Sequence, residues 1–215
     1  MNVRGADSAY PKVDIDMILM DNGHGENTPG KRSPDGEFRE YLYTREVAQE
    51  VQRELVKMGI ECELLVRESL DVPLSERVRR VNEYCKRYGV KNVVLLSIHV
   101  NAAGDGSRWM NGTGIEVWTS NGKTRSDELA QIFIEAAKNN HKGMKIRTDY
   151  SDGDGDKEAQ FAVLAKTKCA AILTENGFMD NKADVAYLLS PEGKRAVVMS
   201  HVEAVVKYVN KYLAV

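Results

Sequence analysis

The sequence predicts an α/β protein, a single three-layer αβα domain whose central sheet is mostly parallel and has about six strands. Short apolar runs alternate with segments of helical spacing from Asp16 onward. The run VVLLSI at residues 93–98 is continuously apolar and rich in β-branched residues, as expected of a central parallel strand covered on both faces. Several of the apolar runs end in glycine-bearing turns, which favours short loops between layered elements.

Length and charge limit the function classes. The 215 residues fit one domain. Lys plus Arg number 30 and Asp plus Glu number 32, so the formal net charge of -2 gives no general attraction to nucleic acid or to an anionic membrane. The longest apolar stretch is far shorter than the roughly 20 residues of a membrane helix, so we expect no membrane insertion. The sequence does not predict an oligomeric state.

The N-terminus and the cysteines bear on the compartment. MNVRGADSAYPKVDID carries scattered charges and lacks the apolar core of a signal peptide. We therefore expect either export by another route or earlier removal of a leader. Cys62, Cys85 and Cys169 are far apart and form no CxxC pair, which argues against a disulfide framework and a thiolate zinc site. We expect buried or half-buried thiols.

The first elements follow from the order of apolar runs. Residues 17–20 form a short apolar run closed by DNGHG, which predicts a buried strand that ends in a glycine-rich loop. Residues 30–36 extend this loop. Residues 41–58 place apolar side chains near helical spacing, and Gly59 is the expected C-terminal stop of a long helix.

The next elements repeat the alternation of strand and helix. Residues 60–66 alternate apolar and charged side chains and predict a half-exposed strand. Asp71 or Ser75 can cap a second helix that runs to about Tyr88. Residues 93–98 are the predicted central strand.

The middle of the chain contains two polar loops. Residues 101–113 predict a loop, 114–120 a strand and 126–138 a helix. Residues 139–157 are charged and glycine-bearing, and we expect a long surface loop that borders a substrate groove. Residues 161–164 predict a short strand or sheet edge.

The remaining elements complete the fold. Residues 170–174 are a buried strand followed by Glu-Asn-Gly, and helices are expected over 182–189 and 192–212. We expect residues 1–15 to form an extension and residues 16–215 to form the folded domain, because the first segment shows little periodicity.

Ionisable residues follow three of the predicted interior strands. His24 follows the first, His99 the central strand and Glu175 the run AAILT. Ligands collect at the carboxyl ends of strands in open α/β sheets, so these side chains can converge on one site. Two imidazoles and a carboxylate suit Zn²⁺, and a catalytic zinc site keeps its fourth position for water.

The identity of a third metal ligand is open from position alone. Glu26, Glu37 and Glu40 all lie near the first loop, and Glu40 is favoured weakly because it begins the first helix. A single histidine at a strand end is more often a hydrogen-bonded structural residue, and a glutamate there is often a helix cap. Because His24, His99 and Glu175 all follow predicted interior strands, a shared metal site is favoured over three separate structural roles.

The chain resembles the zinc-dependent N-acetylmuramoyl-L-alanine amidases, the αβα type found in bacterial cell-wall hydrolases and phage endolysins. The resemblance covers roughly residues 16–213 and rests on several motifs whose combination is specific. These motifs are MDNGHG at 20–25, EYLYTREVA at 40–48, SIHVNA at 97–102, GIEVW at 114–118 and LTENGFMDN at 173–181.

The resemblance implies a role for each residue that matches the motifs. His24, Glu40 and His99 correspond to the three zinc ligands, and Glu175 to the catalytic glutamate. Under this resemblance Glu40 is preferred to Glu37. Other divalent ions, such as Co²⁺ or Mn²⁺, can occupy such a site.

Two further residues flank the ligands. We expect Asp21 and Asn101 to orient the imidazoles, because a metal-bound histidine usually needs a partner for its second nitrogen. The sequence departs from the family at Asn22, where proline is more frequent, and in the polar loop 147–158.

The resemblance implies hydrolysis of the amide between the lactyl group of N-acetylmuramic acid and L-alanine of the stem peptide. Zinc would activate water, and Glu175 would act as general base and then as general acid. The implied partner is peptidoglycan, and the implied place of action is the cell wall. A phage endolysin is slightly favoured, because neither a signal peptide nor a wall-binding module is evident. The alternatives are a catalytically silent muropeptide-binding module and a zinc peptidase that cuts within the stem peptide.

The acidic run at 152–156 is not a calcium-binding EF-hand loop. Lys157 stands where the glycine of that loop is required, and Val163 where its glutamate is required. We expect a solvated acidic loop here, and structural or surface roles for His141 and His201.

Overall fold

A six-stranded sheet runs through the part of the chain that the computed structural model describes, residues 15–213. The extension predicted over residues 1–15 lies outside that range, apart from Ile15. The strands are β1 (Met17–Asn22), β2 (Cys62–Leu64), β3 (Val93–Asn101), β4 (Ile115–Thr119), β5 (Lys157–Glu158) and β6 (Ala170–Phe178). Their order is β2-β1-β3-β6-β4-β5, and only the β4–β6 pair is antiparallel within the described residues. The predicted α/β class with a mostly parallel sheet is confirmed.

Helices cover both faces of this sheet. They are α1 (Glu40–Lys57), α2 (Leu74–Tyr88), α3 (Arg125–Asn140), α4 (Ala162–Ala165), α5 (Lys182–Leu189) and α6 (Pro191–Leu213). One layer contains α1, α3 and α6, with α5 packed against α6, and the other contains α2 and α4. Across residues 15–213, none of the helices combines the length and the apolar character needed to cross a bilayer.

The central strands bury side chains on both faces because both are covered. On the face of α1, α3 and α6, the core includes Ile18 of β1 and Leu96 of β3. On the face of α2 and α4, it includes Leu19 of β1 and Leu95 of β3. This double burial explains the continuous apolar run of the central strand.

Two element predictions were wrong in extent or type. The strand expected over residues 60–66 is only Cys62–Leu64. The segment 161–164, predicted as a short strand or edge, begins helix α4, in which Leu164 and Ala165 donate backbone hydrogen bonds to the Phe161 carbonyl. A four-residue apolar run fits a strand and a helical turn equally well, so periodicity could not distinguish them. The short strand β5 lies at the end of the predicted loop 139–157.

Two strands extend beyond their predicted ends. β3 continues to Asn101 and β6 to Phe178, so His99 and Glu175 lie within the last part of each strand rather than after it. Backbone pairing, which the sequence does not encode locally, extends both strands. β1, β3 and β6 are neighbours and parallel, so their carboxyl ends lie side by side.

Candidate metal centre

His24 lies two residues beyond β1, in a left-handed backbone conformation with φ 60°. Its carbonyl oxygen accepts hydrogen bonds from Arg45 Nη1 at 3.0 Å and Arg77 Nη2 at 3.4 Å. The preceding Gly23 leaves room for the other imidazole, because a Cβ there would lie 2.5 Å from ring atoms of His99. The glycine before His24 therefore allows the two histidines to lie close together.

Glu40 begins α1 and is fully buried. Its Oε1 accepts a hydrogen bond from the Val100 amide at 3.0 Å and lies 3.2 Å from His99 Nδ1. Its Oε2 lies 3.5 Å from His24 Nε2 and has no hydrogen-bond partner among residues 15–213. Since buried polar atoms are normally hydrogen-bonded, an unpaired carboxylate oxygen beside two imidazoles is suited to bind a cation.

The structure brings His24, Glu40 and His99 together. One ligand atom from each lies within 4.8 Å of the other two, and the imidazole centroids are 5.0 Å apart. Zinc bonds of about 2.0–2.2 Å in a tetrahedron separate ligand atoms by about 3.3 Å, close to the spacings around Glu40. The donor set therefore fits a divalent metal ion. The alternatives for the third ligand, Glu26 and Glu37, are exposed.

The surroundings of His24 and Glu40 favour the deprotonated forms of both side chains, which are the forms that bind a metal ion. Burial lowers the pKa of His24 to about 4, so its imidazole is neutral at physiological pH. Burial opposes ionisation of Glu40, but the hydrogen bond and charge of His99 outweigh it and lower the pKa of Glu40. For His99, the bond to Glu40 outweighs burial and raises the pKa. Metal binding requires a deprotonated imidazole, so a cation between these groups would displace that proton.

Glu175 lies beside this cluster as the register partner of His99. Burial raises the pKa of its carboxyl to about 8, and its Oε2 has no hydrogen-bond partner in the described residues. A cavity of about 420 Å³ adjoins it and is lined in part by His24, Lys31 and Phe161. An unpaired carboxyl facing a cavity beside a metal-binding cluster is suited to proton transfer.

Asp21 and Asn101 do not make the contacts expected of them. The Asp21 carboxylate accepts hydrogen bonds from Arg77 Nη1 at 2.5 Å and from the Ser97 hydroxyl at 2.8 Å. Asn101 Nδ2 donates to Glu116 Oε2 at 3.1 Å. Within the described residues neither side chain is hydrogen-bonded to an imidazole, because other groups occupy its polar atoms. For Asn101 these include the Ala102 amide, which donates to its Oδ1. Asp21 pairs with Arg77, and its charge contributes directly, after Glu40 and Glu175, to the raised pKa of His99.

The sequence analysis missed Arg77. It is 2% exposed, and besides Asp21 it bonds the carbonyl of Asn22 and the carboxylate of Asp71, which fixes the loop that carries His24. The available signal was its spacing, four residues before the buried Val81 and eight before the buried Cys85 on one face of α2.

Glu116 was also missed. It is 3% exposed on β4 and lies opposite Glu175 in the antiparallel register. The signal was its place in GIEVW, where it shares a strand face with Trp118. His141 and His201 lie outside the site and are both buried; His201 Nε2 bonds the Thr174 hydroxyl.

The fold and the cluster together define a class: a three-layer α/β protein with a His/Glu/His group suited to a metal ion and an adjacent carboxyl at one edge of the sheet. Residues 18–207 match the family described as N-acetylmuramoyl-L-alanine amidase. The chain belongs to this family. That the three side chains bind zinc stays a prediction.

Individual relatives agree with this assignment. N-acetylmuramoyl-L-alanine amidase CwlM of Bacillus licheniformis is 28% identical over 195 residues, which are 90% of this chain and 68% of the relative. An endolysin of Bacillus phage SPP1 is 25% identical over 196 residues, 90% of this chain and 66% of the relative. The crystal structure of an N-acetylmuramoyl-L-alanine amidase from Clostridium difficile 630 has a TM-score of 0.76 at 25% identity and covers 90% of this chain and 96% of that one. The chain spans between 53% and 68% of the length of the curated relatives it matches.

Proposed function

We propose that the protein is a zinc hydrolase that cleaves the amide between the lactyl group of N-acetylmuramic acid and L-alanine in peptidoglycan. The observation that carries the proposal is the meeting of His24, Glu40 and His99 beside Glu175, in a chain of the amidase family. His24, Glu40 and His99 would hold the ion. When bound, zinc supplies a Lewis acid for the carbonyl oxygen and lowers the pKa of a water ligand to about 7.

Glu175 would carry the protons of the reaction. Amide hydrolysis needs a base for the attacking water and an acid for the leaving nitrogen, and one carboxyl can perform both in turn. Glu175 would accept the water proton and deliver it to the alanine nitrogen. The adjoining cavity gives the substrate access to this carboxyl.

The substrate and place of action follow from the same proposal. Peptidoglycan would be the partner, and the enzyme would act at the cell wall in lysis or remodelling. Relatives named as an endolysin and as a sporulation-specific amidase support wall action without deciding between these two roles.

Product analysis tests the proposal. Purified peptidoglycan treated with the wild-type protein should yield, by mass spectrometry, peptides with a free L-alanine amine and glycans with intact lactyl carboxylates. Products that retain L-alanine on muramic acid would identify a peptidase within the stem peptide. Binding of muropeptides without any cleavage would identify a silent binding module.

A further inference from the structure

A second charged group lies beside Glu175, centred on Glu116. Oε1 of Glu116 accepts hydrogen bonds from Arg147 Nε at 2.5 Å and Lys157 Nζ at 2.7 Å. Its Oε2 accepts from Asn101 Nδ2 at 3.1 Å and Trp118 Nε1 at 3.2 Å. Four donors saturate this carboxylate, so Glu116 itself is not available to a ligand.

The charges of this group do not cancel. Burial opposes ionisation of Glu116, but Lys157 and Arg147 outweigh it and lower its pKa, so one anion faces two cations. The cationic side chains remain 34% and 21% exposed, respectively for Arg147 and Lys157. Arg147 Nη2 makes no hydrogen bond within the described residues. Hydrogen bonds from Ser151 lower the pKa of the exposed Asp149, and the charge of Lys157 adds to this; within the described residues no hydrogen bond joins Asp149 to Lys157. The group can therefore receive a second anion.

The group around Glu116 lies beside Glu175 in the sheet. Glu116 and Glu175 are directly opposite on strands about 4.8 Å apart, and their side chains share a face. Phe161 lines the cavity at Glu175, and its ring centroid lies 5.5 Å from that of Trp118. Lys157 Nζ lies 5.1 Å from the Trp118 ring centroid. The Trp118–Phe161 pair therefore connects Lys157 to the wall of the cavity.

We propose that Arg147 and Lys157, positioned by Glu116, form a subsite for a carboxylate of the stem peptide. The inference rests on the proposed function and deepens it. One residue of extended chain spans about 3.3–3.6 Å, so a carboxylate on the residue after L-alanine can reach the strand next to Glu175. A carboxamide at that position lacks the charge that two cations favour. The subsite would select stem peptides whose second residue carries a free α-carboxylate.

Two matched substrates test the subsite. Both are N-acetylmuramoyl-L-alanyl-D-glutamate with the γ-carboxyl capped as an N-methylamide, and they differ only at the α-position, which is a free carboxylate in one and a carboxamide in the other. The wild-type enzyme should show kcat/KM about tenfold higher for the free acid, as expected for one charge-assisted contact. Arg147→Gln and Lys157→Gln should each move this ratio toward 1. Equal kcat/KM values for the two substrates in the wild type would overturn the subsite.

Controls separate charge at the subsite from general effects. Lys145→Gln removes an exposed lysine from the same loop and should keep the wild-type ratio. Arg147→Lys keeps the charge and should retain more of the preference than Arg147→Gln. Thermal unfolding of each variant identifies one that fails to fold, and the remaining variant then decides.

A binding measurement distinguishes failure of the subsite from failure of the proposed function. Isothermal titration of Glu175→Gln with both compounds should give a lower Kd for the free acid. Cleavage of both compounds at equal rates would overturn the subsite and leave the amidase intact. Preferential binding without wild-type cleavage would support the subsite and overturn the amidase, and absence of binding and cleavage would overturn both.

Discussion

Glu40 is the residue of the candidate metal centre whose buried charge most needs a cation. It is fully buried, and its Oε2, which lies 3.5 Å from His24 Nε2, has no hydrogen-bond partner in the part of the chain that the structure describes. An unsatisfied buried polar atom costs about 1–3 kcal/mol, and more when it is charged. A cation between Glu40 and the two imidazoles would offset this cost, so the ion and the local fold should stabilise each other.

Gly23 is the backbone position on which the approach of the two histidines depends. In Gly23→Ala the new Cβ would lie 2.5 Å from His99 ring atoms, so the ring or the loop must move. We expect activity to fall about 100-fold, as misplacement by about 1 Å can cause. Zinc affinity should fall as well, which competition with a chromogenic chelator would measure.

The control for this variant is Gly104→Ala. Its Cβ would meet Met110 Cγ at 3.4 Å, an ordinary contact, so activity and zinc affinity should stay at wild-type levels. Wild-type zinc affinity in Gly23→Ala would contradict the claim that Gly23 sets the position of His99.

Asp156, the last residue of the acidic run 152–156, is buried rather than solvated. The run was expected to be solvated, but Asp156 is 2% exposed and accepts hydrogen bonds from the Thr119 hydroxyl at 2.6 Å and Gln131 Nε2 at 3.1 Å. Burial, with the neighbouring carboxyls of Asp154 and Asp127, raises the pKa of Asp156 to about 7. The expectation of full solvation was wrong for this residue.

This raised pKa predicts a pH dependence of stability. The unfolded chain releases the Asp156 proton at lower pH than the folded chain, so this group makes the fold less stable as the pH rises from about 4 to about 7. Asp156→Asn cannot ionise. Its melting temperature should therefore fall less than that of the wild type between about pH 5 and about pH 8, by differential scanning calorimetry.

The control is Asp152→Asn, which removes the charge of an exposed aspartate in the same loop. Its melting temperature should change with pH as that of the wild type does. An Asp156→Asn profile parallel to that of the wild type would show that this carboxyl titrates near its ordinary value.

At the scale of elements, helix α2 holds the loop that carries His24. Arg77 bonds Asp21, the carbonyl of Asn22 and Asp71, and both Arg77 and Asp21 are buried. Arg77→Gln would leave the Asp21 charge unpaired, which should lower the free energy of unfolding by about 3–5 kcal/mol. Urea denaturation monitored by circular dichroism measures this change.

Arg79→Gln tests whether the loss of stability expected for Arg77→Gln depends on the burial of the ion pair. Arg79 lies on the same helix and pairs with Glu76, but its side chain is 61% exposed, so its loss should leave the urea midpoint almost unchanged. A similar small effect for Arg77→Gln would mean that the buried pair does not hold the loop.

The loop between α3 and β5 contacts Glu116 because of the way β4 is oriented in the sheet. β4 is antiparallel to β6 and parallel to β5, so Arg147 from this loop and Lys157 from β5 meet at Glu116. The charged composition of residues 139–157 predicted a surface loop at a groove. Its contacts with Glu116 explain two of its charges, which composition alone could not assign.

At the scale of the whole molecule, the sequence predicted the features that repeat along the chain. The six-stranded, mostly parallel sheet is confirmed, because continuous apolar runs mark strands covered on both faces. His24 and His99 were proposed to converge because parallel strands place their ends at one edge, and the structure brings them together with Glu40.

Other features depend on distant pairing. The extra length of β3 and β6 comes from strand pairing, and the helical form of residues 162–165 from its packing against α2. The partners of Asp21 and Asn101, namely Arg77 and Glu116, lie 56 and 15 residues away in the chain. A single sequence gives no local signal for such pairs.

The central claim is that one metal ion held by His24, Glu40 and His99 works with Glu175 on peptidoglycan. The most direct test measures zinc content and hydrolysis on the same preparations of wild type, Glu175→Ala and His99→Ala. We expect about one zinc per chain in the wild type and in Glu175→Ala, cleavage by the wild type alone, and loss of both zinc and activity in His99→Ala. Cleavage by Glu175→Ala, or a wild-type enzyme that is active without bound metal, would contradict the account.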